Sequence, residues 1–128
     1  MNRDEICKLA ETMCEVLYQK KAEDILSIDI GEKSVVADYF IVCSGRNNIM
    51  VKALSDELEE KMAERSVFPR RKEGYNEGRW VVLDFGDILV HIFHPEERVY
   101  YKLERLWDEG QNVVNYSQKR DAEVEGQN

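Results

Sequence analysis

Residues 79–93, RWVVLDFGDILVHIF, set a glycine-centred break between two runs of Val, Ile, Leu and aromatics. Such a segment folds as two antiparallel strands joined by a tight turn, because glycine accepts the positive φ that other residues resist. Taking Phe85-Gly86 as the turn predicts Asp84 opposite Asp87, Leu83 opposite Ile88, Val82 opposite Leu89, Val81 opposite Val90 and Trp80 opposite His91. Side chains alternate along a strand, so one face carries Val81, Leu83, Ile88, Val90 and Ile92 and reads as core. The other carries Trp80, Val82, Asp84, Asp87, Leu89, His91 and Phe93. Two carboxylates directly opposite each other repel, so both must be solvated or paired. They read either as ordinary polar turn residues or as an acidic tip beside aromatic anchors, complementary to Lys or Arg on a partner.

The rest of the chain supplies what such a ribbon packs against. Ile6, Leu9, Ala10, Met13, Val16 and Leu17 recur at helical spacing between Arg3 and Lys20. Asp24–Ile30 alternates with period two and Val35–Cys43 is β-branched and aromatic, which predicts an antiparallel pair of strands. Ser44-Gly45 breaks the second, and Asn47 caps a helix with Met50, Ala53, Leu54, Leu58 and Met62 on one stripe. Ser66–Asn76 is irregular and basic at Arg70, Arg71 and Lys72, with a short edge strand before Gly74; those cations read as a solvated edge rather than a phosphate contact. After Phe93, a helix opens at His94-Pro95-Glu96-Glu97 and turns Tyr100, Leu103, Leu106 and Trp107 to one face. The order of elements calls for an α/β (α+β) single domain, a small mixed sheet with packed helices, over residues 1–109. Residues 110–128 are polar and lack sustained periodicity, so a disordered tail is expected.

Charge narrows the partners. The chain has 128 residues and a net charge of -8, which disfavours a phosphate backbone and favours basic protein surfaces. No stretch has membrane-spanning length and the N-terminal residues carry no targeting pattern, so a cytoplasmic protein is expected. Cys7, Cys14 and Cys43 read as small core residues in a reducing compartment.

Catalytic readings fare worse. Asp84-Phe85-Gly86 spells the kinase metal-binding tripeptide without a Gly-rich phosphate loop or a catalytic loop to accompany it. His91 and His94 fall on opposite faces of a continuing strand and lack further ligands at metal spacing. A nucleotidyl-transferring domain needs carboxylates alternating on one strand, whereas Asp84 and Asp87 straddle a turn. No catalytic residue, cofactor or metal is expected.

Three blocks, ADYFIVCSG at 37–45, EGYNEGRWVVLDFGDILVHIF at 73–93 and R-x-Y-Y-x-L-E-x-L-W at 98–107, resemble the ribosomal silencing factor family, also called Iojap-like. Two departures are Phe85, where Tyr is common, and Asn47, where a small hydroxyl often caps the helix; Phe85 cannot supply a phenolic hydrogen bond. The resemblance implies a nucleotidyltransferase-like outline without a catalytic site, in a protein that binds and does not catalyse. It implies docking on large-subunit ribosomal protein fourteen, occlusion of subunit joining and lowered translation when nutrients are scarce, or, as the alternative, a role in large-subunit assembly. Carried onto this chain, its surface motif covers Tyr75, Trp80, Asp84, Phe85, Gly86, Asp87 and His91, with Arg98 and Tyr101 nearby. Trp80 and Phe85 are then the expected apolar anchors, Asp84 and Asp87 the charge partners. An apolar patch awaiting a partner also predicts a homodimer of the free protein.

Overall fold

The computed structural model describes residues 1–31, 34–101, 105 and 108–126. Helix α1 (Arg3–Gln19) starts where the Asn2 side chain accepts a hydrogen bond from the Glu5 N–H at 2.9 Å. Its apolar stripe buries Ile6, Ala10, Met13, Cys14 and Leu17. The chain reverses through Lys21 and enters β1 (Glu23–Asp29), with β2 (Tyr39–Ser44) antiparallel to it. β2 starts at Tyr39 rather than at Val35, because the Ser34 hydroxyl accepts the Val36 N–H at 3.0 Å and holds a local turn. Val35 and Val36 are left in solvent, 106% and 53% exposed.

Helix α2 (Asn48–Ala63) is capped as expected by Asn47, which accepts from the Met50 N–H at 2.8 Å. It buries Val51, Leu54, Ser55, Leu58 and Met62, while Met50 and Ala53 are half-buried. The edge strand β3 (Arg71–Glu73) is exposed throughout and leads to β4 (Trp80–Asp84), β5 (Ile88–Phe93) and α3 (Pro95–Tyr101). The expected apolar face of Tyr100, Leu103, Leu106 and Trp107 lies outside the described residues. Strand β6 (Val113–Asn115) and helix α4 (Tyr116–Gly126) follow.

The result is a mixed α/β single domain whose six strands run in the order β3-β4-β5-β2-β1-β6. β2 and β5 are parallel and the other neighbours antiparallel. Helices α1 and α2 cover one face of the sheet, and Val81, Leu83, Ile88, Val90 and Ile92 are sealed beneath them, which agrees with the expected inward face of the ribbon. Each such aliphatic contributes roughly 1.5–3 kcal/mol by leaving water. The opposite face holds a smaller cluster of Ile28, Ile30, Ala37, Phe40, Val42 and Phe93.

Two expectations are corrected. The ribbon pairs Trp80 with Phe93, Val81 with Ile92, Val82 with His91, Leu83 with Val90 and Asp84 with Leu89, two residues away from the anticipated register. The turn is Gly86-Asp87, with glycine in its first position at φ 91°. A two-residue slip keeps every side chain on its face, so the inward set survives while Asp84 and Asp87 are no longer opposite each other.

The expected disordered tail is the second. Val113–Asn115 pairs with Leu26–Ile28 of β1, and α4 lies against α1. Polar contacts replace an apolar stripe there: the Glu15 carboxylate accepts from Arg120 Nε at 2.8 Å and from the Tyr116 hydroxyl, and the Tyr18 hydroxyl donates to Asp121 at 2.7 Å.

Candidate docking site

The β4–β5 turn is the most open feature of the expected site. The Phe85 N–H donates to the Ile88 carbonyl at 2.9 Å, closing the turn, and a Cβ added at Gly86 would meet nothing within 4 Å. Asp84 folds back into the structure. Its Oδ1 accepts the Gly86 N–H at 2.8 Å and Arg70 Nε at 3.2 Å, and its side chain is 15% exposed. Asp87 differs: its backbone carbonyl accepts the N–H groups of Asp38 and Tyr39, at 2.8 and 3.1 Å, while its exposed carboxylate has no partner among the described residues. Of the two aspartates expected to meet a partner's cation, one already holds an internal arginine.

Beneath the tip, Trp80 is half-buried, stacked on Phe93 with ring centroids 4.8 Å apart. Its indole N–H donates to His91 Nδ1 at 3.1 Å. That bond places the proton of neutral His91 on Nε2, a buried atom with no hydrogen-bond partner among the described residues. His91 is 7% exposed, and burial pushes its pKa down to about 4, so it is neutral near pH 7. Its chemistry there is to orient the indole, as a positioning residue.

The remaining expected residues do not converge on the tip. Phe85 packs against the helix-side cluster, on the opposite face from Trp80, so the two cannot serve as paired anchors on one surface. Tyr75 lies in the β3–β4 connection, its hydroxyl donating to Asp56 of α2 at 2.9 Å, a bond that raises its pKa, with Lys72 Nζ 4.5 Å from its ring centroid. Next to it Gly74, at φ 79°, passes so close to the Trp80 carbonyl that any Cβ would collide. Arg98 is buried at the far end of β5, donating to the Ser44 hydroxyl at 3.1 Å, roughly 17 Å of strand from the turn. The Tyr101 side chain lies outside the described residues. His94 accepts the Glu96 N–H at the start of α3, and among the described residues no cluster of three metal-ligating groups forms.

Cys14 and Cys43 are fully buried, which pushes the Cys43 thiol up to about 12, while Cys7 is half-buried. The basic run Arg70-Arg-Lys72 forms the exposed edge strand and its approach, with Arg70 on Asp84 and Lys72 on Glu59 at 2.9 Å. Exposed apolar residues that flank the tip, Val35, Val36 and Phe68, were missed by sequence reasoning. Ser34 ahead of Val35 and Pro69 after Phe68 were the available signals that regular strand did not include them.

The family described as "Ribosomal silencing factor during starvation" matches residues 3–128, a span that takes in β6 and α4 as well as the hairpin. The chain is a member of the ribosomal silencing factor family. A Bacillus subtilis relative named ribosomal silencing factor is 43% identical over 107 residues, 84% of this chain and 88% of that protein. A crystal structure of a Chromobacterium violaceum protein superposes with a TM-score of 0.75 at 37% identity, covering 84% of this chain and 87% of the other. A mouse protein named mitochondrial assembly of ribosomal large subunit protein 1 is 30% identical over 76% of this chain and 44% of its own length. The bacterial relatives are named as silencing factors and not as enzymes.

Proposed function

We propose that this chain lowers translation by docking on the large ribosomal subunit, through its basic protein fourteen, and standing where the small subunit must approach. Nutrient limitation is the circumstance in which it acts, and the cytoplasm the place. The observation that carries this reading is Asp87, an exposed carboxylate with no partner among the described residues at the tip of a hairpin, in a family member of net charge -8. A ribosome presents polyanionic RNA and basic proteins; an acidic domain is repelled by the first and guided to the second. Occlusion requires no cofactor and no reaction, only an interface of about 1,600 Å² in total.

In this reading Gly86 and Asp87 meet the partner and Asp84 fixes the turn that presents them. Trp80 and His91 stiffen the ribbon behind it. Phe85 braces the turn from the helix side, while Tyr75 and Arg98 hold the scaffold. Light scattering of purified subunits tests it. Excess wild-type protein is expected to suppress joining and Asp87→Lys to restore it; joining undisturbed by saturating wild type overturns the reading.

The second reading, a large-subunit assembly factor, is favoured by the name of the mouse relative. Both use the same contact. Association with immature particles alone, and never with mature large subunits, selects assembly.

A further inference from the structure

At one end of four adjacent strands, β3-β4-β5-β2, three connections lie side by side. The approach to β3 is tied to β4 by the Arg70 N–H donating to the Asp84 carbonyl at 2.8 Å. The Gly86-Asp87 turn joins β4 to β5. The approach to β2 is tied to that turn by the Asp38 and Tyr39 N–H groups on the Asp87 carbonyl. With neighbouring strands about 4.8 Å apart, the row spans roughly 14 Å.

Each flank of this row exposes apolar side chains. Phe68 is 66% exposed on one side, and Val35 and Val36, 106% and 53%, stand on the other. Single exposed hydrophobics are ordinary on a protein surface. Here they flank a carboxylate with no partner among the described residues, Phe68 two residues before Arg70 and Val36 two before Asp38, both of which are bonded to the hairpin.

We infer that this rim is one interaction surface for a basic protein, with Asp87 taking a Lys or Arg while Phe68, Val35 and Val36 grip the apolar surface beside that cation. The identity of that protein as part of the large subunit rests on the function proposed above. Charge selects the occupant. Arg70 is held by Asp84 and Arg3 by Asp29 and Asp38, and a chain of net charge -8 disfavours a nucleic-acid phosphate here. A second copy docked through the same rim by a two-fold axis would bring two Asp87 carboxylates together, a like-charge contact. Apolar residues around a desolvated ion pair are the arrangement that concentrates binding energy in protein interfaces.

Binding to purified large subunits, measured by co-sedimentation at low and high salt, distinguishes the parts. The variants are Val35→Ser with Val36→Ser, Phe68→Ser, and Asp87→Lys. Because all four side chains are exposed, melting temperatures are expected to match wild type. The apolar variants are expected to weaken binding roughly tenfold at both salt concentrations, since apolar contact is not screened. Asp87→Lys is expected to lose most at low salt.

If wild type binds, Asp87→Lys does not, and the apolar variants bind like wild type, the rim is overturned while the proposed function stands. If wild type fails to bind, both fall. Apolar variants that change only self-association would give the surface to a second copy, and equal binding to protein-free ribosomal RNA would give it to nucleic acid; either result overturns the inference.

Discussion

Glu15 on α1 and Asp87 at the hairpin tip are carboxylates on opposite sides of the sheet's architecture, and their surroundings could hardly differ more. Glu15 is clasped by Arg120, Tyr116 and Gln19, and the Arg120 guanidinium, first among these, holds its pKa down to about 2. Asp87 has its backbone carbonyl anchored and its carboxylate unclaimed among the described residues. The C-terminal segment therefore uses its charges to complete the fold, whereas the tip leaves one exposed, where the proposed function puts a partner's cation. A polar sequence does not by itself say which of these fates it has; the presence of a cation at hydrogen-bond distance does.

The largest expected effect concerns what holds the tip in place. His91 is protonated near pH 6.5 when unfolded but resists protonation down to about 4 when folded. Its contribution is therefore complete above pH 6.5 and is lost as pH falls toward 4, by roughly 3 kcal/mol. Urea titrations at pH 7 and pH 4.5 should show that loss in wild type and a shallower one in His91→Gln, which keeps an acceptor for the indole. Equal slopes would mean that the imidazole is not a structural part of the ribbon.

Next comes the clasp. Glu15→Gln should cost about 1 kcal/mol after solvent screening, because the carboxylate is partly exposed. The wild-type contribution is present above pH 4.5 and disappears as pH falls toward 2. Faster amide exchange at residues 113–115 with unchanged large-subunit binding would confirm that this end is structural; weaker binding would break the contrast with the tip.

The two turn aspartates sharpen it. Asp84→Asn removes the Arg70 ion pair and weakens the bond to the Gly86 N–H, an expected loss of about 0.5–1 kcal/mol in thermal denaturation. Asp87→Asn should change stability by less than about 0.5 kcal/mol. Its effect belongs in binding, a few-fold weakening at low salt that fades as salt rises. Reversed roles for the pair would refute the division drawn here.

Much of the fold was legible because it rests on periodicity and caps. The α1 stripe, the Asn47 cap and the inward face of the ribbon all follow from local chemistry that tertiary contacts reinforce. The ribbon register was not, since Asp-Phe-Gly-Asp allows glycine in either central turn position and only the hydrogen-bonded pairing decides. Val35 and Val36 looked like strand because β-branched residues normally are, but Ser34 competes for the backbone ahead of them. The C-terminal segment escaped notice for a different reason: its partners, Glu15 and Tyr18, lie about a hundred residues away and present no apolar pattern to match. At the candidate site, residue types predicted the ribbon itself. Which aspartate was already spoken for depended on Arg70, whose reach across β3 and β4 no spacing rule reveals.

The pairing of β6 with β1 joins the last strand of the chain to the first. During synthesis, β1 therefore has a bare edge until Val113–Asn115 has emerged, although its other neighbour, β2, is available much earlier. Closure of that edge thus waits for residues 113–115, and a nascent chain halted before residue 113 would carry an open strand that the folded domain conceals.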